Sequence, residues 1–388
     1  MNYGKKSLIL HKKYKGKIEI RAKVLTKNKE DLSVTYTPGV AEISKLLQKN
    51  PSSAYIYSIK ANTILIISDG SAVLGLGNIG PLGALPVMEG KALLFKNFGN
   101  VDAYPICLDT QNTEEIIKTI KNIAPAFGGI NLEDISAPRC FEIEQRLKKE
   151  LSIPVFHDDQ HGTAIVVLAA LLNALIVVKK KKENIKIVIN GAGSAGQAIL
   201  YLLKKAGFSS KKIIILDSKG IISKKRIDLD FYKQKIAKIT NKNSLIGELK
   251  DAIKQTDVFI GVSVKDILTK EMIDSMNIDP IVFAMANPNP EISYKEIKKT
   301  KIAVFGTGRS DYPNQINNVL VFPGFFRGLL DARIKKITEK MKIDAAYTIA
   351  NLISKSKLNA NYIIPNPFDK RVAKAVANAV KNANNINL

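Results

Sequence analysis

The distribution of apolar residues divides the sequence into short buried runs and longer helical segments. In the second half, such runs alternate with helix-forming segments, which predicts strands at 186–190, 213–216, 258–262, 281–286 and 302–305. The first half predicts further strands at 63–68, 103–108 and 130–132. Regular alternation of strands and helices is typical of parallel α/β sheets. The sequence therefore predicts an α/β protein whose second half is a doubly wound, Rossmann-type unit.

The length of the chain predicts two domains. A chain of 388 residues exceeds the size of one ordinary hydrophobic core. We expect an N-terminal α/β domain that binds substrate and metal at 1–161, and an NAD(P)-binding Rossmann domain at 162–388. Three helices predicted after the last strand follow the sheet instead of extending it. We expect these helices to pack back on the first domain.

A glycine-rich turn in the second half predicts a dinucleotide site. The sequence GAGSAG follows a predicted strand directly and opens a helix. Glycines at this spacing allow a tight turn and let backbone N–H groups approach a pyrophosphate. The predicted cofactor contacts are Gly191, Ala192, Gly193, Ser194, Ala195 and Gly196. The next strand ends at Asp217, which can bind a ribose 2′-hydroxyl and favours NAD, although the neighbouring Lys219 leaves NADP open.

Two pairs of acidic residues follow predicted strands in the first half. Glu133 and Asp134 end one strand, and Asp158 and Asp159 follow the apolar run 153–156. Ligands of open α/β sheets bind at this edge, and clustered carboxylates suit Mg²⁺ or Mn²⁺. Glu133, Asp134 and Asp159 are therefore candidate metal ligands. Helix or strand capping by these acids stays an alternative.

Four further polar residues allow both a structural and a chemical interpretation. His157 and His161 flank the acidic pair and are either metal ligands or hydrogen-bonded structural histidines. Lys91 lies on a largely apolar predicted helix, where a lysine either reaches solvent or is desolvated into a base. Tyr36 stands beside a Pro-Gly turn and is either a turn aromatic or an acid. For Lys91 and Tyr36, the residues alone favour the structural interpretation.

Composition and charge narrow the classes of function. The net charge is +24, but the lysines are spread along the chain without interleaved aromatic residues, which favours solvated surfaces over specific nucleic-acid binding. The longest apolar run, 164–178, is shorter than the roughly 20 residues of a membrane span. Two cysteines without metal-type spacing are typical of a reducing compartment, so we expect a cytoplasmic protein without a targeting segment.

Together, several motifs resemble those of the malic enzymes in their short bacterial form. They occur in the family's order and are TYTPGV at 35–40, SDGSAVLGLGN at 68–78, EGK at 89–91, LED at 132–134, VFHDDQHGT at 155–163, GAGSAG at 191–196, ANP at 286–288 and NNVLVFPG at 317–324. The resemblance implies oxidative decarboxylation of (S)-malate to pyruvate and CO₂, with NAD or NADP and a divalent metal. It also implies decarboxylation of oxaloacetate and a homodimer or higher homo-oligomer.

The resemblance assigns roles to individual residues. It implies that Lys91 is the base, that Tyr36 is the acid, and that Asp158 orients Lys91. It assigns Asn287 and Asn318 to contacts with the substrate or the nicotinamide ribose, and the three acids named above to the metal. An arginine that larger members carry after the Asp-Gly motif is replaced by residues 71–73, so the anchor of the distal carboxylate stays open.

Two other functions remain as alternatives. The first is conversion of malate to lactate with NAD held on the enzyme, which would give no net NADH. The second is a basic Rossmann-type protein that has lost catalysis and binds nucleic acid. The presence of Tyr36, Lys91 and the carboxylates together favours catalysis.

Overall fold

The computed structural model describes residues 3–385 and contains two β-sheets, of which the first is parallel and the second is parallel except at one edge strand. The first sheet comprises β1 (Thr63–Ser68), β2 (Asp102–Cys107), β3 (Gly129–Leu132) and β4 (Val155–His157). The second comprises β5 (Ile187–Asn190), β6 (Ile213–Asp217), β7 (Gly220–Ile221), β8 (Val258–Gly261), β9 (Ile281–Ala284) and β10 (Val304–Thr307). The predicted α/β class and the Rossmann-type second half are confirmed.

The order of the strands brings the acidic residues of the first half together. In the first sheet the order is β2-β1-β3-β4, and Leu132 is paired with His157 across β3 and β4. Both acidic pairs therefore follow adjacent strand ends. In the second sheet the order is β10-β9-β8-β5-β6-β7, and every pair is parallel except β6 with β7. The motif GAGSAG follows β5, near the middle of this sheet.

Sixteen helices surround the sheets in the described part of the chain. Those of the first half are α1 (Tyr3–Tyr14), α2 (Lys29–Thr35), α3 (Val40–Lys49), α4 (Ala54–Tyr57), α5 (Gly80–Gly99), α6 (Thr113–Ile123) and α7 (Arg139–Glu150). The others are α8 (Asp158–Val177), α9 (Ser194–Lys205), α10 (Phe231–Ile239), α11 (Leu249–Ala252), α12 (Lys270–Asp274), α13 (Tyr294–Ile297), α14 (Phe322–Asp331), α15 (Glu339–Asn351) and α16 (Arg371–Asn385).

Helix α8 joins the two halves through one hydrophobic core. This core contains Ile64 and Ile66 of the first sheet, Ile187 and Ile189 of the second, and most of α8. By length and composition α8 could cross a membrane, but 72% of its most apolar window is buried in the protein. The predicted boundary between residues 161 and 162 falls inside this helix, and the division into domains stays a prediction.

The closing helices contact the first half through aromatic residues. The ring of Phe95 on α5 lies 4.6 Å from that of Phe322 and 5.3 Å from that of Phe326, both on α14. A Cβ on Gly99 would lie 2.7 Å from the carbonyl oxygen of Pro323, so the close approach of α5 and α14 requires glycine there. Through this contact α14 covers the helix that carries Lys91.

The sequence pattern is misleading at three short helices. The pattern at 32–40 predicts a loop, but α2 covers the first four of these residues, because Asn28 accepts a hydrogen bond from the N–H of Asp31. The pattern at 244–255 predicts one helix, but only α11 forms there, because Gly247 has a φ of +127° and Glu248 caps the helix start. The pattern predicts no helix where α10 forms, and Asp230 caps the N-terminus of this helix.

Candidate active site

Three carboxylates from two strand ends form a compact group. Glu133, Asp134 and Asp159 each offer one oxygen, and these oxygens lie within 4.8 Å of one another. The N–H of Asp134 donates to the Asp159 carboxylate at 2.8 Å, which ties the turn after β3 to the start of α8. Asp134 has a φ of +54°, a left-handed conformation that aspartate tolerates better than most residues. The sheet edge thus brings the predicted ligands together.

The electrostatics of this group fit a divalent cation. Burial, together with the charges of Asp159 and Glu133, raises the pKa of Asp134 to about 9. Burial likewise raises the pKa of Asp159 to about 6 and also raises that of Glu133. The Oδ2 atom of Asp134 is buried and has no hydrogen-bond partner among the described residues. Crowded carboxylates with an unpartnered oxygen form the hard-oxygen environment that Mg²⁺ and Mn²⁺ prefer.

Lys91 is buried beside these carboxylates and is held in its charged form. Its Nζ lies 2.6 Å from Glu133 Oε1, donates to Asp158 Oδ2, and lies 4.3 Å from the centre of the Phe322 ring. Burial alone would lower the pKa of Lys91, but the carboxylates, led by Asp158 and Glu133, raise it above its usual value. The expectation of a lowered pKa is wrong for the free protein, because the sequence did not show how many acids surround the amine.

Asp158 connects Lys91 to the end of the second half. Its Oδ2 accepts hydrogen bonds from both Lys91 Nζ and Asn318 Nδ2. Its side chain is fully buried, and burial raises its pKa to about 7. A Cβ on Gly162 would lie 1.9 Å from Asp158 Oδ1, so this turn of α8 leaves room only for glycine. Asp158 therefore fixes two predicted site residues to one another.

The two histidines differ in their surroundings. His161 Nε2 lies 2.9 Å from Glu144 Oε1, and its Nδ1 lies 3.1 Å from Lys342 Nζ. Burial lowers the pKa of His161 to about 4, so His161 is neutral and forms a hydrogen-bond network with Glu144 and Lys342. His157 Nδ1 lies 3.7 Å from Asp159 Oδ2, and neither ring nitrogen has a hydrogen-bond partner in residues 3–385. Sequence reasoning missed Glu144 and Lys342 because no motif carries them.

The glycine turn has the close contacts that a dinucleotide site needs. Gly191 has a φ of +117°, and a Cβ there would lie 2.5 Å from the carbonyl oxygen of Val262. A Cβ on Gly196 would lie 1.8 Å from the carbonyl oxygen of Gly191. Residues 191–193 line a cavity of about 830 Å³ that extends to Asp217. This cavity is large enough for the adenosine half of a dinucleotide.

Asp217 is surrounded by more positive charge than the sequence suggested. Arg226 Nη1 donates to it at 2.7 Å, Lys233 Nζ at 2.8 Å and the backbone N–H of Lys219 at 3.0 Å. Burial would raise the pKa of Asp217, but Arg226 and Lys233 outweigh burial and lower it. Asp217 is therefore ionised, and neighbouring cations offset its charge, so its repulsion of a 2′-phosphate is weakened.

A second cavity, of about 800 Å³, brings most of the predicted site residues together. It is lined from the first half by Lys91 and the carboxylate group, and from the second half by Ser194, Ala195, Asn287 and Asn318. Asp158 lies behind its wall, bonded to Lys91 and Asn318. The start of the dinucleotide-binding helix thus meets the carboxylates in one cleft.

Tyr36, the predicted acid, lies away from this cleft in the single chain. Its side chain is 67% exposed at the end of α2, and it is absent from the cleft wall. Helices α1, α2 and α3 bury no residue, and Ser53 is the only buried residue in 18–59. The acid predicted by the resemblance therefore lacks a position next to Lys91 within one copy.

Comparisons with known proteins agree with this geometry. Residues 15–148 match the profile of the malic enzyme N-terminal domain, and residues 160–384 match that of the malic enzyme NAD-binding domain. The chain is 55% identical to the bifunctional malic/malolactic enzyme of Bacillus subtilis, over 99% of this chain and 93% of the relative. It is also 55% identical to the NAD-dependent malic enzyme of Geobacillus stearothermophilus, over 99% of this chain and 79% of the relative.

A solved structure extends the similarity to three dimensions. The NAD-dependent malic enzyme of Thermotoga maritima superposes with a TM-score of 0.92 at 47% identity, over 97% of this chain and 98% of that one. Together the two profiles span most of the chain, and both relatives and this structure cover at least 97% of it. The chain therefore belongs to the malic enzyme family.

Proposed function

We propose that this protein oxidises (S)-malate and decarboxylates it to pyruvate and CO₂ while NAD or NADP is reduced. One observation carries the proposal: a single cleft is lined by a buried lysine, three carboxylates and the start of the dinucleotide-binding helix. This arrangement would hold a hydroxy acid between a base and a nicotinamide. The names of the Bacillus, Geobacillus and Thermotoga relatives support the same reaction.

Two sets of residues are proposed to bind the divalent cation and the dinucleotide. Glu133, Asp134 and Asp159 would hold Mg²⁺ or Mn²⁺, and residues 191–196 with Asp217 would hold the dinucleotide. When bound, the cation supplies a Lewis acid for the C2 oxygen and the nicotinamide supplies the hydride acceptor. Asp217 favours NAD, and Arg226 and Lys233 allow NADP as a second cofactor. Asn287 and Asn318 would contact the substrate or the nicotinamide ribose.

Lys91 is proposed to take the proton of the C2 hydroxyl at its Nζ. In the free chain this amine is charged, because Asp158 and Glu133 hold its proton. If Glu133, Asp134 and Asp159 bind a divalent cation, their attraction for the ammonium group of Lys91 becomes weaker. The pKa of Lys91 would then fall towards the range of a usable base. Asp158 then keeps the amine aimed at the cleft, because its other partner, Asn318, fixes the carboxylate.

Tyr36 is proposed to protonate C3 after decarboxylation, as a residue of a second copy in a homodimer. More than half of the exposed large apolar side chains of the described residues lie in 3–59, and Ser53 is the only buried residue of this segment. An apolar segment of this size is typical of an interface. If 18–59 packs against a second copy, Tyr36 can reach the partner's cleft and complete the pair with Lys91.

The remaining sequence-based predictions fit this proposal. We propose that residues 1–161 and 162–388 form two domains and that each domain contains one of the two sheets. Cys107 and Cys140 are free thiols, which suits a reducing cytoplasm. The scattered lysines would draw in the dianionic substrate without a specific nucleic-acid partner.

The function is tested by following malate oxidation with NAD and with NADP, with Mn²⁺ and with EDTA. We expect Mn²⁺-dependent formation of reduced cofactor with an equal amount of pyruvate. Reduced cofactor without pyruvate would indicate a simple dehydrogenase and would contradict the proposal. Absence of turnover with both cofactors, together with salt-sensitive retention on DNA, would favour the nucleic-acid-binding alternative.

Malolactic conversion is the second candidate function, because the Bacillus subtilis relative carries that activity in its name. Lactate would form from malate while bound cofactor is reduced and reoxidised, so absorbance at the nicotinamide band would not accumulate. Measuring lactate and pyruvate in the same sample separates the two reactions. Lactate as the main product would replace the proposed function by this one.

A further inference from the structure

A buried carboxylate that the proposed mechanism does not use lies behind the cofactor side of the cleft. Glu291 has no exposed surface. Burial raises its pKa to about 7, and backbone N–H groups, not charged side chains, oppose this shift. An acidic side chain buried without a cation destabilises the fold. Glu291 is therefore expected to have a role other than stabilising the fold.

Glu291 connects the ends of two neighbouring strands. Its Oε2 accepts from the N–H of Ala286 at 3.0 Å, and its Oε1 accepts from the N–H of Ser263 at 3.3 Å. Ser263 follows β8, and Ala286 follows β9. Since both strands end at the edge where ligands of doubly wound sheets bind, one carboxylate fixes two segments of the ligand-binding edge.

Space for this carboxylate is provided by a glycine in β8. A Cβ on Gly261 would lie 2.3 Å from Glu291 Oε1 and 2.4 Å from its Cδ. No side chain other than hydrogen leaves room at that position. The strand end and the acid are therefore shaped to fit each other, although they are far apart in the sequence.

The two segments that Glu291 holds form part of the cleft wall. Ser263, Ala286 and Asn287 all line the cavity that contains Lys91. The carbonyl oxygen of Asn287 lies against the glycine-rich loop of the first half, where a Cβ on Gly75 would approach it to 2.0 Å. A shift of these segments would therefore move both the proposed substrate contact and the seam between the two halves.

We propose that Glu291 is a positioning residue that holds Ser263 and Ala286, and with them Asn287, in the geometry that the bound cofactor and substrate need. Glu291 itself lines neither of the two cavities described above. The predicted change in KM rests on the proposed function. The effect of Glu291 on cofactor binding can be measured without turnover, as the Kd of NADH.

The test replaces Glu291 by glutamine, which has the same size but offers one oxygen and places an NH₂ group against a backbone N–H. We expect KM for malate and for NAD to rise about tenfold, because misplacement of a ligand by about 1 Å is enough for such losses. Because the chain has no tryptophan, NADH binding can be followed by the cofactor's own fluorescence. Its Kd should rise by a similar factor.

Asp257→Asn is the matched control. Asp257 is also a buried carboxylate of the second sheet and accepts from the N–H of Lys186 at 2.8 Å, but it lies at the opposite edge. It should lower Tm while leaving KM and the Kd of NADH unchanged. If Glu291→Gln behaves in the same way, the residue is merely structural and the inference is overturned.

A second variant keeps the test decisive if Glu291→Gln fails to fold. Gly261→Ala leaves the acid in place but forces its carboxylate away from the strand end. Raised KM and Kd values would support the inference, and wild-type values would overturn it. If the wild-type protein does not oxidise malate, the proposed function fails, whereas the Kd of NADH still tests the positioning role.

Discussion

Lys91 and Tyr36 were assigned to one catalytic pair, yet the structure places them in opposite environments. Lys91 is buried among carboxylates that follow β3 and β4 and lies under a ring of α14. Tyr36 is exposed on the segment 18–59, in which Ser53 is the only buried residue. The difference teaches that one chain's own fold is sufficient to bring together Lys91 and the three carboxylates that we propose as base and metal ligands. The proposed acid needs a further surface, which we assign to a second copy.

The largest expected effect tests the buried side of this comparison. Lys91→Ala should lower kcat by about 10²–10⁴-fold, the usual contribution of a general base, while NADH still binds. Lys96→Ala on the same helix removes an exposed lysine that pairs with Asp102 and should leave kcat unchanged. Steady-state kinetics and fluorescence titration give both quantities. Retained turnover in Lys91→Ala would remove this residue from its role.

The exposed side is tested by mixing two inactive variants. Lys91→Ala and Tyr36→Phe, unfolded and refolded together in equal amounts, should regain about a quarter of wild-type activity if the pair is shared between copies. Half of the dimers are then mixed, and each mixed dimer has one intact site. If each copy supplies both residues, the mixture stays as inactive as its components, and the shared site is excluded.

Substitutions of two similarly exposed isoleucines test whether the segment 18–59 differs from the rest of the surface. Ile20 is 84% exposed within 18–59, and Ile278 is 80% exposed in the second half. Ile20→Lys should shift the protein towards monomer in analytical ultracentrifugation and reduce turnover, because it places a charge in the proposed interface. Ile278→Lys should change neither. Equal behaviour of the two variants would argue against an interface at this segment.

A smaller effect concerns the metal group. Mn²⁺ should raise Tm of the wild type by mass action, and Asp134→Asn should abolish most of this rise. Without metal, the same variant should be more stable than the wild type, because it removes one of three crowded carboxylates. Asp344→Asn, at a solvent-accessible ion pair with Lys340, serves as the control. A full Mn²⁺ response in Asp134→Asn would place the cation elsewhere.

The smallest effect is a pH dependence of stability. Glu291 has a folded pKa of about 7, above the ordinary 4.5, so the folded state holds a proton that the unfolded state loses between these values. Stability should therefore fall as pH rises through this window, by roughly 3–4 kcal/mol at most, since each pKa unit corresponds to about 1.4 kcal/mol. Glu291→Gln should show a shallower decline of Tm between pH 5 and 8. An identical decline would refute the assignment of this group.

Much of the fold could be predicted because local patterns agree with the tertiary structure. Strand β1 was predicted with its observed bounds, since a run of buried β-branched residues ends at an Asp-Gly turn. The convergence of Glu133 and Asp159 also followed from strand ends that share an edge. By contrast, the contact of Glu133 with Lys91 and the contacts of Arg226 and Lys233 with Asp217 were not predicted. Electrostatic surroundings of this kind depend on residues that are distant in sequence. The position of Tyr36 could not be predicted for a similar reason, because we propose that its surroundings are supplied by a second copy of the chain.

The central claim is that a cation held by the first half and a dinucleotide held by the second meet beside Lys91. Crystals grown with Mn²⁺ and NADH test it most directly through the anomalous scattering of manganese. The account predicts one strong peak per chain, bound by oxygens of Glu133, Asp134 and Asp159, with the nicotinamide in the same cleft. A manganese peak at other residues, or a nicotinamide bound away from Lys91, would contradict it.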